Sequence, residues 1–130
     1  MTENEKKRPE QTFHKNKRSI GTFYEEKAAQ YLEQQGVRVI MKNYRCHAGE
    51  IDLIAQDKEY LVFVEVKYRS SKRSGSPLAA VDKTKQRIIS RVARNYLLVS
   101  RHTESIPCRF DVIGFDGGEV LWIKNAFDCV

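Results

Sequence analysis

Leu61-Val62-Phe63-Val64-Glu65-Val66-Lys67 is apolar on both of the faces that a β-strand presents. Strand side chains alternate, so Leu61, Phe63, Glu65 and Lys67 share one face, and Val62, Val64 and Val66 the other. Two apolar faces mark a central strand covered on both sides. The pattern spans residues 59–68, and Glu65 and Lys67 interrupt it near its C-terminal end. A charge in such a strand is costly unless something pairs it.

The sequence on either side supplies the neighbours. Gly49-Glu50-Ile51-Asp52-Leu53-Ile54 opens a strand predicted over residues 50–56, with Asp52 as a second embedded charge. A tight turn at Asp57-Lys58 joins the two as an antiparallel hairpin. Residues 37–44 form an earlier strand, with Val37, Val39 and Met41 alternating. Before it, residues 20–35 read as a helix stopped by Gly36. Ala28, Ala29 and Leu32 share its inner face, and Glu25 joins them at helical spacing. Glu26 points about 100° away.

Downstream, residues 69–77 are a loop rich in Ser, Arg, Lys and Gly. Asp82 caps a helix running to about Ser100, with Ile88, Ile89, Val92, Ala93, Tyr96 and Leu97 as its buried stripe. Residues 109–115 and 119–124 form a last hairpin around Asp116-Gly117-Gly118. The central strand, the long helix and the Phe110 strand make a β-α-β crossover, which requires a parallel pair. The expected architecture is α/β: an αβββαβ core, with a mixed central sheet flanked by helices.

A chain of 130 residues with 41% hydrophobic content is one domain of ordinary soluble composition. Residues 1–19 are polar and charged and are expected to be a disordered basic tail, leaving residues 20–130 as the domain. The formal charge is +6, and the tail holds half of it, with six Lys/Arg against three Glu. Overall charge is therefore weaker guidance than its placement. No apolar run suits a membrane span or a secretion signal, so a cytoplasmic location and no membrane partner are expected. Cys46, Cys108 and Cys129 are few and widely spaced, which fits reduced thiols rather than a zinc site.

The embedded charges suggest chemistry. Phosphodiester hydrolysis requires neutralised phosphate charge, an activated water and a stabilised leaving oxygen. Mg²⁺ or Mn²⁺ provides much of this and prefers carboxylate and water ligands. Asp52 and Glu65, on consecutive strands, can reach one metal, with the Val66 carbonyl as a backbone ligand and Glu25 as a further one. Lys67 is placed to touch the phosphate or the attacking water. A plain strand-end ion pair of Glu65 or Asp52 with Lys67 is the competing account.

The long helix carries Lys83, Lys85, Arg87, Arg91 and Arg94, with no acid between residues 83 and 101. That pattern suits nucleic-acid backbone contact, although a solvated basic face would look the same. Gln86 can join it, as can Arg69, Lys72 and Arg73 from the preceding loop. Tyr44 and Tyr68 can stack on bases, although aromatic residues at strand ends are more often packing.

Several segments carry a family likeness. Gly21-x-x-x-Glu25, Asn43-Tyr44-Arg45, Gly49-Glu50-Ile51-Asp52-Leu53-Ile54, Phe63-Val64-Glu65-Val66-Lys67, Val81 with Lys85-Gln86, Arg109-Phe110-Asp111-Val112 and Ala126-Phe127 resemble the YraN family of small bacterial proteins. The likeness runs over roughly residues 20–127 in one register. That family resembles the PD-(D/E)xK nuclease superfamily, especially archaeal-type Holliday junction resolvases of the restriction-endonuclease-like fold. The resemblance implies that Asp52 is the metal-binding aspartate, Glu65 the second acid and Lys67 the catalytic lysine. Glu25 would be the helix glutamate, and Lys85 or Gln86 the polar residue of the following helix. Ile51 stands before Asp52 where some members carry proline, a position that varies in the superfamily.

The implied function is a Mg²⁺- or Mn²⁺-dependent endonuclease on DNA, with branched or recombining DNA as candidate substrates. A homodimer would match the symmetric strands of a junction. The alternatives are a nucleic-acid-binding protein that does not cleave, and a small structural protein whose acidic pocket holds an ion pair.

Overall fold

In the computed structural model, which describes residues 16–69, 77–100 and 105–130, β3 (Tyr60–Arg69) lies mid-sheet, as its two apolar faces require. The sheet order follows the chain: β1 (Arg38–Cys46), β2 (Gly49–Asp57), β3, β4 (Cys108–Asp116) and β5 (Glu119–Phe127). β1–β2, β2–β3 and β4–β5 pair antiparallel, whereas β3 and β4 pair in parallel. Helix α1 (Asn16–Gln34) covers one face and α2 (Lys83–Val99) the other. This is the mixed α/β core that the patterning predicts, consistent with the restriction-endonuclease-like fold that the resemblance implies.

β3 divides its side chains as alternation demands. Val62, Val64 and Val66 pack with Ala28, Ala29 and Leu32 of α1. Leu61 and Phe63 pack with Ile89, Val92 and Tyr96 of α2. Truncating the fully buried Phe63 to alanine would cost about 3–5 kcal/mol.

The helix ends follow from local chemistry. At the end of α1, the Val37 amide donates to Leu32 O at 2.9 Å and the Gly36 amide to Glu33 O at 3.1 Å. Gly36 takes the left-handed φ of 88° that this double cap needs. Asp82 caps α2, its Oδ1 accepting from the Lys85 amide at 2.9 Å. α1 already runs from Asn16, taking in four residues assigned above to the tail. The rest of that tail lies outside the described residues.

The β2–β3 turn falls one residue later than expected. Asp57 still pairs with Tyr60, and Lys58 adopts a φ of 56° to close the turn with Glu59. Arg109 holds Asp57 in the strand through a 2.9 Å ion pair. The same guanidinium grips fully buried Asp111, which also accepts from Trp122 Nε1 at 2.9 Å and the Asn125 amide at 2.9 Å. This satisfied network secures β4 and β5 where their register shifts between Phe110 and Val112.

Candidate metal centre

β2 and β3 pair from Asp57 with Tyr60 to Leu53 with Val64, and there the ladder stops. One step further, the register sets Asp52 opposite Glu65. Instead of continuing the ladder, Asp52 Oδ2 accepts the Val66 amide at 2.8 Å. A side chain has replaced a main-chain partner, so the strands part at Asp52. Within a strand, N–H and C=O of one residue share an edge, so the Val66 main chain faces the same gap.

The neighbouring strand changes face at the same level. The register aligns Asn43 with Asp52, between the pairs Lys42–Leu53 and Tyr44–Ile51. Asn43 has a φ of 56°, a conformation asparagine tolerates better than most residues. Lys42 reaches Glu26 of α1 at 3.1 Å. Two residues on, Tyr44 lies edge-on to Tyr96 of α2 and donates to Asn95. Leu53 likewise packs beneath α1 and Ile51 beneath α2. Asp52 sits where that reversal happens, within reach of both helices.

The structure gathers carboxylates there. Oxygen atoms of Glu25, Glu50 and Asp52 all lie within 4.8 Å of one another. Glu25 comes from α1 on the inward face that helical spacing assigned to it, while Glu26 stays exposed. Buried Glu65 meets the Lys67 ammonium at 3.5 Å and the Lys85 ammonium at 3.4 Å. Burial, and then the charge of Glu65, pushes the Asp52 carboxyl up from its ordinary 3.8 to about 7, against the opposing effects of the Val66 amide and Lys85. Glu25 is raised as well, by burial first and then by Asp52. The centre holds more negative charge than its lysines offset, and its oxygen donors suit a hard divalent cation.

A family model matches residues 24–115 of the chain. The chain belongs to the uncharacterised protein family UPF0102. This is the YraN family indicated by the motifs. A UPF0102 protein of Lachnoclostridium phytofermentans is 50% identical over 113 residues, covering 87% of this chain and 96% of its own length. One from Janthinobacterium sp. is 45% identical over 112 residues, covering 86% and 89%. One from Legionella pneumophila is 43% identical over 110 residues, covering 83% and 93%.

In this UPF0102 chain the centre brings together Glu25, Asp52, Glu65, Lys67 and Lys85, all singled out from sequence. It adds Glu50, which was not among the candidate ligands. The signal was present, since Glu50 and Asp52 are two apart in one strand. Glu50 also pairs with Arg45 at 2.8 Å.

The basic residues divide into two groups. Lys83, Arg87, Arg91 and Arg94 are exposed at three- and four-residue spacing along α2. Arg94 is engaged there by Cys129 Sγ at 3.1 Å and the main-chain oxygen of Val130 at 3.2 Å. Gln86 turns back to donate to Val81 O at 3.0 Å. Arg69 contacts Asp116 at 3.4 Å. Lys72 and Arg73 lie outside the described residues. Among the described residues, no helix is long and apolar enough to cross a membrane.

Proposed function

We propose that this UPF0102 protein is a divalent-metal-dependent nuclease that hydrolyses DNA phosphodiester bonds, with branched or recombining DNA among its candidate substrates. The carrying observation is the cluster of Glu25, Glu50 and Asp52 oxygens within 4.8 Å of one another where the hairpin parts. Asp52, Glu25 and Glu50 would hold Mg²⁺ or Mn²⁺, with Glu65 and the Val66 carbonyl beside them. Bound there, the ion would neutralise phosphate charge and lower the pKa of a ligand water.

The chain's own groups account for the rest. The Val66 amide commits one Asp52 oxygen and fixes the carboxylate plane. Lys67 and Lys85 leave 31% and 36% of their side chains exposed, so each ammonium can turn from Glu65 to a phosphate oxygen. In that position they offset the charge developing on the phosphate and the leaving oxygen. The exposed Lys83, Arg87 and Arg91 would hold the flanking backbone through charge.

The test is a cleavage panel of single-stranded, duplex, flap and four-way-junction DNA with Mn²⁺ or with chelator. Asp52→Asn, Glu65→Gln and Lys67→Ala should each lower cleavage by roughly 10²-fold or more while the fold is kept. Cleavage that survives all three changes would remove the proposal. The basic stripe of α2 also favours a second reading, a nucleic-acid-binding protein that does not cleave. Salt-dependent binding without cleavage on any substrate would establish that reading instead.

A further inference from the structure

On the α1 side of the sheet lies an open cavity of about 420 Å³ between α1 and the β4–β5 hairpin. Phe23, Tyr24, Lys27 and Tyr31 line it from the helix, and Phe115 and Val120 from the hairpin. Among the described residues no acid lines it, although a carboxylate cluster begins at the next residue along α1.

The aromatic groups are unusually open for packing residues. Phe23 is 53% exposed and Tyr68 39% exposed. Tyr24 stacks on Tyr68 with ring centroids 4.7 Å apart and a 12° interplanar angle. It also contacts Phe115 at 5.1 Å. The Lys27 ammonium sits over the Phe23 ring, 5.4 Å from its centroid. Tyr24 precedes Glu25 in the chain and Tyr68 follows Lys67. The stack thus joins Tyr24, which lines the cavity, to Tyr68, which lies outside its lining and is next to Lys67 in the chain.

We infer that this cavity receives an unpaired nucleobase of the strand whose phosphate lies at the acidic centre. The inference rests on the nuclease reading and narrows its substrate class to nucleic acid with a single-stranded segment. Exposed aromatic rings next to cations, without acids, are what a base and its phosphate require, and stacking on them is tolerant of sequence. A base inside a duplex is already stacked and cannot enter. A tail, flap or loop presents one freely.

The test uses the full chain in chelator, so that nothing is cut. The probes are a ten-residue oligothymidylate, an abasic oligonucleotide of equal length and charge, and a duplex. Trp122, the single tryptophan, meets Tyr31 edge-on at 6.0 Å and reports occupancy by its fluorescence. The base-bearing strand should bind about tenfold tighter than the abasic one and change the Trp122 emission. Phe23→Ala and Tyr68→Ala, both at exposed rings, should bring that ratio close to one without changing the melting temperature. Equal affinity for the two strands would overturn the inference, as would a self-association that Phe23→Ala abolishes. Cleavage assays keep the two proposals apart. Asp52-dependent cutting with a ratio of one sinks the base site alone. A tenfold ratio without cutting sinks the nuclease reading alone.

Discussion

Asp52 Oδ2 accepts the main-chain amide of Val66 at 2.8 Å, across the point where β2 and β3 cease to pair. The contact ends the hairpin ladder and holds a buried carboxylate among Glu25, Glu50 and Glu65. It lowers the cost of the Asp52 charge without cancelling it, since that carboxyl remains pushed up to about 7.

A pH dependence follows. Between 3.8 and about 7 the folded protein binds a proton at Asp52 that the unfolded chain has released. Stability from this group is therefore greatest below its ordinary value, declines as pH rises through that window and is fully lost above it. Urea midpoints in chelator should fall across this range for wild type. The fall should be much smaller in Asp52→Asn, whose amide oxygen can still accept from Val66. Parallel profiles for the two proteins would refute the assignment.

Gly49 should be intolerant of a side chain. A Cβ there would lie 2.7 Å from Ile88 Cγ2, at a φ of 145° that L-residues avoid. Gly49→Ala should cost about 1–3 kcal/mol in chemical denaturation. Adding Ile88→Leu, which removes the γ2 methyl, should restore part of the loss and leave the backbone component. An alanine variant as stable as wild type would contradict this packing.

The buried Asp111 network is separable from the centre, because Arg109 and Asp111 engage each other, Asp57, Trp122 and Asn125 rather than Glu25, Glu50, Asp52 or Glu65. Arg109→Met would leave Asp111 without its cation and should cost about 3–5 kcal/mol. Divalent-cation affinity measured below the melting transition should not change. A matching loss of metal affinity would show that the two sites are coupled.

The stripe on α2 predicts a salt signature. Replacing Lys83, Arg87 and Arg91 together with Gln should reduce the slope of log affinity for duplex DNA against log salt by about 2–3. Arg94→Gln should leave that slope nearly unchanged, because Cys129 and Val130 engage its guanidinium. Equal effects at all four positions would contradict this division.

Much of the fold was legible in sequence. The two faces of Leu61–Val66 required a central strand, and the long helix after it required the parallel β3–β4 pair. The site was legible in membership but not in register. A turn at Asp57-Lys58 would have set Glu50, not Asp52, opposite Glu65. Moving the turn to Lys58-Glu59 shifts the pairing by two residues and exchanges the two acids. Asp52 was singled out as an embedded charge and its register was then given by family likeness; the expected turn would not have selected it. Lys-Glu carries no strong turn signal; Gln56 Nε2 donates to the Lys58 carbonyl at 2.7 Å, and Arg109, remote in sequence, holds the neighbouring Asp57. The face reversal at Asn43 was hidden as well. A strand period of two cannot show a single residue that breaks it, and that break lets α1 deliver Glu25 to Asp52.

The most direct measurement is a calorimetric titration of Mn²⁺ into the full chain at pH 8, wild type against Asp52→Asn. The account predicts saturable binding by wild type, and binding at least about tenfold weaker in the variant, a difference of about 1.4 kcal/mol. Identical isotherms, or no heat from either protein, would contradict it.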